Sequence, residues 1–142
     1  MTESAGDCPL VGTWKLSGWE VLVKDDPTTS PPQWERVKGQ IMYTPEGTMS
    51  MLMSNADREP FADPAYYVGT TEEKLKAYED FRSYAGTYRW DGDRVIHFVE
   101  QSNYPNIIGV DQVRLVTLEG TTLILTNENK SIAMRWERVG AG

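Results

Sequence analysis

The stretch GQIMYTPEGTMSMLM, residues 39–53, decides the fold of this chain. Its centre, Thr44-Pro45-Glu46-Gly47, suits a type I turn with Pro45 in the second position and Gly47 at positive φ as a bulge. A three-residue loop of that kind sets Thr44 opposite Thr48 and Tyr43 opposite Met49. Side chains alternate faces along a strand, so Gly39, Ile41, Met51 and Met53 then share one face. That face is apolar from end to end, and a slip of one residue would destroy it.

Outward from this hairpin, glycine and proline punctuate short runs rich in Val, Ile, Thr, Trp and Tyr, the pattern of many short strands. The reading gives eight, at 12–24, 35–44, 48–54, 86–90, 94–102, 108–118, 121–127 and 132–139. Asp91-Gly92 and Glu119-Gly120 are two further hairpin signals. Residues 25–32 (DDPTTSPP) read as a loop, because their prolines cannot donate to a ladder. One segment departs from the pattern. Residues 55–69 read as a loop, and a helix follows at about 71–84. Thr70 and Glu73 have capping-box spacing, Gly86 reads as the C-terminal stop, and Leu75, Tyr78 and Phe81 or Arg82 share a face.

Eight antiparallel strands with too little helix to cover a flat sheet should close on themselves, which removes the edges. The expected fold is all-β, an eight-stranded antiparallel up-and-down barrel with one helix near its mouth. An open sandwich is the alternative. Residues 1–9 read as a flexible tail and 10–139 as a single barrel domain.

The 142 residues suffice for one core. Lys and Arg number 14 against 21 Asp and Glu, a net charge of −7 that speaks against nucleic acid and anionic membranes as partners. No apolar run approaches the ~20 residues of a membrane span, and MTESAGDCPL lacks the features of a secretory signal. One cysteine, Cys8, fits a reducing cytoplasm, and with one histidine, His97, it makes a zinc site a poor expectation. No Gly-rich phosphate loop, nucleophile elbow or paired-His motif is present, so neither cofactor nor metal is expected.

Five stretches carry a wider resemblance: LVGTWKLSGWE (10–20), MYTPEGTMS (42–50), YAGTYRWDGDRVIHFVE (84–100), GVDQVRLVTLEG (109–120) and MRWERV (134–139). In this order they resemble the bacterial and fungal lipocalin-like domain family. The Gly12-Thr13-Trp14 opening is similar to the Gly-x-Trp of lipocalins. The resemblance implies an eight-stranded barrel with a ligand cavity, and Arg138 stacked on Trp14 at the closed end. It leaves function open, since such barrels include carriers as well as cofactor-free cyclases and isomerases.

Strand parity supplies the candidate site. Leu118 and Leu123 share a face, Val116 and Leu125 join them, and the same parity carries Arg114 and Gln112 inward. An inward Arg needs a carboxylate, a wet mouth or a polar ligand. His97 sits between apolar faces of equal quality, so its parity is open; a tight Asp91-Gly92 turn would put Tyr88 on its face, and a bulged three-residue turn would put Tyr88 on the other. It reads either as a core histidine or as a general acid/base, since histidine titrates near neutrality. Met49, Met51 and Met53 form a stripe that suits core or an irregular apolar ligand. Tyr43 and Tyr88 offer phenols, and Met134 and Trp136 complete the wall. Glu20 and Glu100 are expected on the outer face, and Trp14 at the floor.

His97, Arg114 and Tyr88 are the expected catalytic residues. Tyr43, Met49, Met51, Met53, Gln112, Val116, Leu125, Met134 and Trp136 are the expected ligand contacts. The partner is a small, largely apolar molecule. The leading reading is a cofactor-free isomerase, cyclase or dehydratase of a polyketide- or terpenoid-like intermediate. A carrier or sensor without chemistry is the alternative, and a homodimer through an outer barrel face is a third reading.

Overall fold

The structure, a computed structural model, describes residues 8–24 and 34–140. The loop expected at 25–32 and residues 1–7 of the expected tail lie outside the described residues.

The Thr44–Gly47 turn forms as its residues dictate. Gly47 takes φ 92°, the Thr44 N–H donates to the Thr48 carbonyl at 2.9 Å, and the two threonine hydroxyls meet at 2.7 Å. It joins β2 (Val37–Tyr43) to β3 (Thr48–Asn55) in the expected register, Tyr43 opposite Met49, Ile41 opposite Met51 and Gly39 opposite Met53. Ile41, Met49, Met51 and Met53 are buried, whereas Met42 and Leu52 on the other parity are exposed.

The remaining strands are β1 (Gly12–Val21), β4 (Phe81–Trp90), β5 (Arg94–Ser102), β6 (Asp111–Glu119), β7 (Thr122–Asn127) and β8 (Ile132–Arg138). All neighbours pair antiparallel in chain order and β8 returns to β1, so the sheet closes into a barrel. Gly92 and Gly120 take φ 80° and 61° in the β4–β5 and β6–β7 turns. Tyr88 lies directly opposite His97, and Leu118 opposite Leu123.

The β2–β3, β4–β5 and β6–β7 turns and the chain's entry gather at one end, which is closed. Trp14 is fully buried there and donates Nε1–H to the Leu10 carbonyl at 2.9 Å. The Arg138 guanidinium lies 4.2 Å from the Trp14 ring centroid and donates to the carbonyls of Val11 and Pro9. Cys8 and Leu10 are buried in the same cluster, so Cys8 and Pro9, expected in the tail, are part of the closed end.

The structure corrects several boundaries. The helix, α1 (Thr71–Glu79), has its Thr70–Glu73 capping box but stops well short of residue 84. Asp80 closes it through its backbone N–H and an ion pair to Lys76 at 2.7 Å, and Phe81 then begins the ladder with Ser54. Five residues expected in helix or loop, Phe81–Ala85, pair instead along β3, because pairing an edge satisfies more backbone than another helical turn. Gly86 is no helix stop. It lies inside β4 where the register to β5 shifts, and a Cβ there would run into the Phe98 carbonyl oxygen. β1 stops at Val21 and β2 starts at Val37. β6 starts at Asp111, because the chain leaves a 3-10 turn over Pro105–Ile107 through Gly109 at φ 83°, which lies at the expected start of β6. Leu75 and Tyr78 of α1 stay exposed. No helix among the described residues is long and apolar enough to cross a membrane.

Candidate functional site

The end of the barrel opposite Trp14 opens on a cavity of about 1010 Å³. Its mouth is framed by the end of α1, the start of β4, the β5–β6 link and the β7–β8 turn, which contribute Tyr78, Phe81, Tyr104 and Asn127. That volume fits a small organic molecule, and pockets of this size are mostly apolar with a few convergent polar groups.

The walls follow strand parity. Ile41, Met51 and Met53 come from β2 and β3, Leu125 from β7, and Met134 and Trp136 from β8. Gln112, Arg114 and His97 also line the cavity. Four expected site residues do not. Tyr43 and Met49 are buried beneath it, Val116 packs against the core, and the Tyr88 hydroxyl donates to the Thr44 carbonyl at 2.7 Å. Burial, with the Cys8 thiol beside it, pushes the Tyr88 phenol up to about 12. Glu20 and Glu100 face outward, and both are exposed.

His97 is the centre of a polar chain inside this apolar shell. It is 1% exposed. Its Nε2 lies 2.7 Å from the Tyr43 hydroxyl and its Nδ1 lies 2.6 Å from the Tyr84 hydroxyl. Both ring nitrogens are therefore engaged. Burial, reinforced by the positive charge of Arg114, pushes the His97 pKa down to about 3, so the imidazole is neutral at physiological pH. Burial also raises the phenols of Tyr43 and Tyr84, while Arg114 acts to lower both.

Arg114 is half-buried opposite Asn127. It donates Nη1–H to the Val113 carbonyl at 2.9 Å and Nη2–H to Gln112 Oε1 at 3.3 Å. Among the described residues no carboxylate forms an ion pair with it. A guanidinium has five N–H donors, so it retains several for a guest. Glu79 and Asp80 are the carboxylates that line the cavity, and the latter is tied to Lys76.

Tyr84 is the site residue that sequence reasoning missed, because it was assigned to the end of the helix. The alternation of Tyr84, Gly86 and Tyr88 was the available signal. All three are buried at period two along β4.

Two solved structures match this chain across most of their length. One, described as the REP1-NXSQ fatty acid transporter, is 13% identical with a TM-score of 0.41, covering 92% of this chain and 96% of its own. The other, a mutant of the fluorescent protein UnaG, is 9% identical with a TM-score of 0.40, covering 91% and 95%. At these values neither likeness carries anything about what this chain binds. A comparison with curated proteins finds no match. The model of the lipocalin-like domain matches residues 11–139, the whole barrel from its first strand to its last, and the chain belongs to that family.

Proposed function

We propose that the barrel holds a small, largely apolar molecule with its polar end, an acceptor oxygen, against Arg114 and Gln112. One observation carries this reading: a guanidinium with no ion pair among the described residues lines a cavity of about 1010 Å³ whose barrel walls include Ile41, Met51, Met53, Leu125 and Met134. Leaving a half-buried cation without a counter-ion is costly, and an anionic or carbonyl oxygen on a guest offsets that cost. Met51, Met53 and Met134 adapt to the apolar part, since methionine fills irregular space readily. Titration calorimetry with 2-naphthoate and its uncharged analogue 2-ethylnaphthalene tests the reading. Naphthoate should bind roughly tenfold or more tightly, the usual strength of a charge-assisted hydrogen bond. Binding of neither probe, or equal binding of both, defeats it.

A second reading adds chemistry: cofactor-free isomerisation, cyclisation or dehydration of a polyketide- or terpenoid-like intermediate. The cluster of donors at Arg114, Gln112 and Tyr84 favours it, because donors fixed around a developing enolate oxygen stabilise that charge. His97 acts in this reading through Tyr84, as both its nitrogens are occupied. Proton removal then falls to Glu79 or Asp80 at the mouth or to bound water. Binding without chemistry, as in a carrier or sensor, asks less of the site. Deuterium uptake at the α-carbons of 2-tetralone in heavy water separates the two. Exchange above the buffer rate that disappears in Arg114→Gln supports catalysis, and exchange at the buffer rate supports a carrier.

A further inference from the structure

We infer that the buried chain Tyr43–His97–Tyr84 runs in one direction, so that Tyr84 presents its hydroxyl proton to the guest as a specificity-determining donor. This deepens the small-molecule reading above and rests on it for the identity of the acceptor.

The direction follows from counting protons. A neutral imidazole has one N–H donor and one bare acceptor nitrogen. Its two partners are both phenols, so either tautomer satisfies both ring nitrogens. The tautomers differ in which phenol keeps a spare proton. If Nε2 carries the hydrogen, it donates to Tyr43, whose own O–H must then find another acceptor. Tyr43 is 2% exposed, does not line the cavity, and has its only hydrogen bond among the described residues with His97. Its proton would be sealed in the core unmet, at the full desolvation cost of that group. If Nδ1 carries the hydrogen, Tyr43 donates to Nε2 and nothing is left over beneath the cavity. Nδ1–H then donates to the Tyr84 oxygen, and the Tyr84 proton is the spare one.

Tyr84, unlike Tyr43, lines the cavity. Its proton is therefore available where a guest sits, in the field of Arg114, which acts on Tyr84 and His97 alike. A donor of this kind selects for carbonyl, carboxylate or phenolate oxygens and against groups that only donate. His97 and Tyr43 are positioning residues. Tyr43 lies beneath the cavity, both nitrogens of His97 are engaged by the phenols, and together the two residues fix which way the Tyr84 hydroxyl points.

Two measurements test this. The chain contains a single histidine, so a long-range proton–nitrogen spectrum of uniformly labelled wild-type protein reports His97 without assignment. The expected result is a neutral ring protonated on Nδ1; protonation on Nε2 overturns the direction. In the second, the affinity ratio of 2-acetylnaphthalene to 2-ethylnaphthalene is compared in wild type, Tyr84→Phe and Tyr43→Phe. Tyr84→Phe should lower the ratio roughly fivefold to tenfold, the loss of one neutral hydrogen bond. Tyr43→Phe should lower it by less while leaving 2-ethylnaphthalene affinity unchanged, because only the orientation of the donor is loosened. An unchanged ratio in Tyr84→Phe overturns the assignment. If wild type binds neither naphthalene, the small-molecule reading falls, and the histidine spectrum alone decides the direction of the chain.

Discussion

The closed and open ends of the barrel each hold an inward arginine, and they use it differently. At the closed end Arg138 stacks on Trp14 at 4.2 Å and donates to two carbonyls of the entering chain, those of Val11 and Pro9. Its interactions knit residues 8–14 to the last strand. At the open end Arg114 has one carbonyl, that of its own neighbour Val113, and a long contact to Gln112. It ties no distant segments together. The same side chain serves the fold in one place and stays available in the other. A region whose donors are matched internally is built for stability; one whose donors exceed its acceptors is built for a guest.

Breaking the closed end should therefore give the largest loss of stability. Trp14→Ala removes a fully buried ring and should cost about 3–5 kcal/mol in denaturant unfolding. Arg138→Gln keeps the ring but loses the stack and two charged hydrogen bonds, and should cost about 2–3 kcal/mol. In both variants the protein that remains folded should bind 2-naphthoate as wild type does. A loss of binding that outruns the loss of fold would show that the two ends are coupled.

The closed end was also the more legible in sequence. The stack was implied by the lipocalin-like resemblance, which two short motifs carry there, Gly12-Thr13-Trp14 and Trp136-Glu137-Arg138. The Thr44–Gly47 turn fixed a register because turn chemistry and hydrophobic alternation agree there. The open end depends on tertiary competition instead. Gly86 looked like a helix stop, yet its missing Cβ serves a close approach to the Phe98 carbonyl, which only the folded sheet brings near. Misplacing the helix end hid Tyr84. His97 stood between two equally apolar faces, and only the β4–β5 pairing put it opposite Tyr88 and inside. A chain of three side chains drawn from β2, β4 and β5 has no local signature at all.

His97 allows a sharper test of how the open end is held, through pH. Its folded pKa is depressed to about 3 by burial and by Arg114, against about 6.5 in an unfolded chain. Below about pH 6.5 the unfolded state binds a proton that the folded state refuses. Stability is therefore full above that pH and falls progressively as pH drops toward 3. At pH 5 the loss should be about 2 kcal/mol relative to pH 8, on the order of 1.4 kcal/mol per unit. His97→Gln removes this component, so the difference between its unfolding free energy and that of wild type should shrink by that amount on acidification. Parallel pH profiles for the two proteins would mean that His97 takes up its proton while folded, and that the polar chain is open to water.

The smallest effect on stability belongs to Arg114, and it distinguishes the two arginines most directly. Arg114→Gln removes a half-buried cation that has no carboxylate partner among the described residues, so the desolvation it suffers disappears with it. Unfolding should shift by less than about 1 kcal/mol, in contrast to Arg138→Gln, and in the stabilising direction if the lost contacts to Val113 and Gln112 are as weak as their geometry indicates. Binding should move the other way, with 2-naphthoate affinity falling roughly tenfold or more and 2-ethylnaphthalene unaffected. Stability and binding measured on the same two variants form a cross: one arginine moves the first quantity, the other moves the second. If Arg114→Gln destabilises the barrel as much as Arg138→Gln does, both arginines are structural and the open end loses its claim to a guest. If it leaves naphthoate affinity unchanged as well as stability, the guanidinium faces solvent at the mouth and the acceptor oxygen is held by Tyr84 alone.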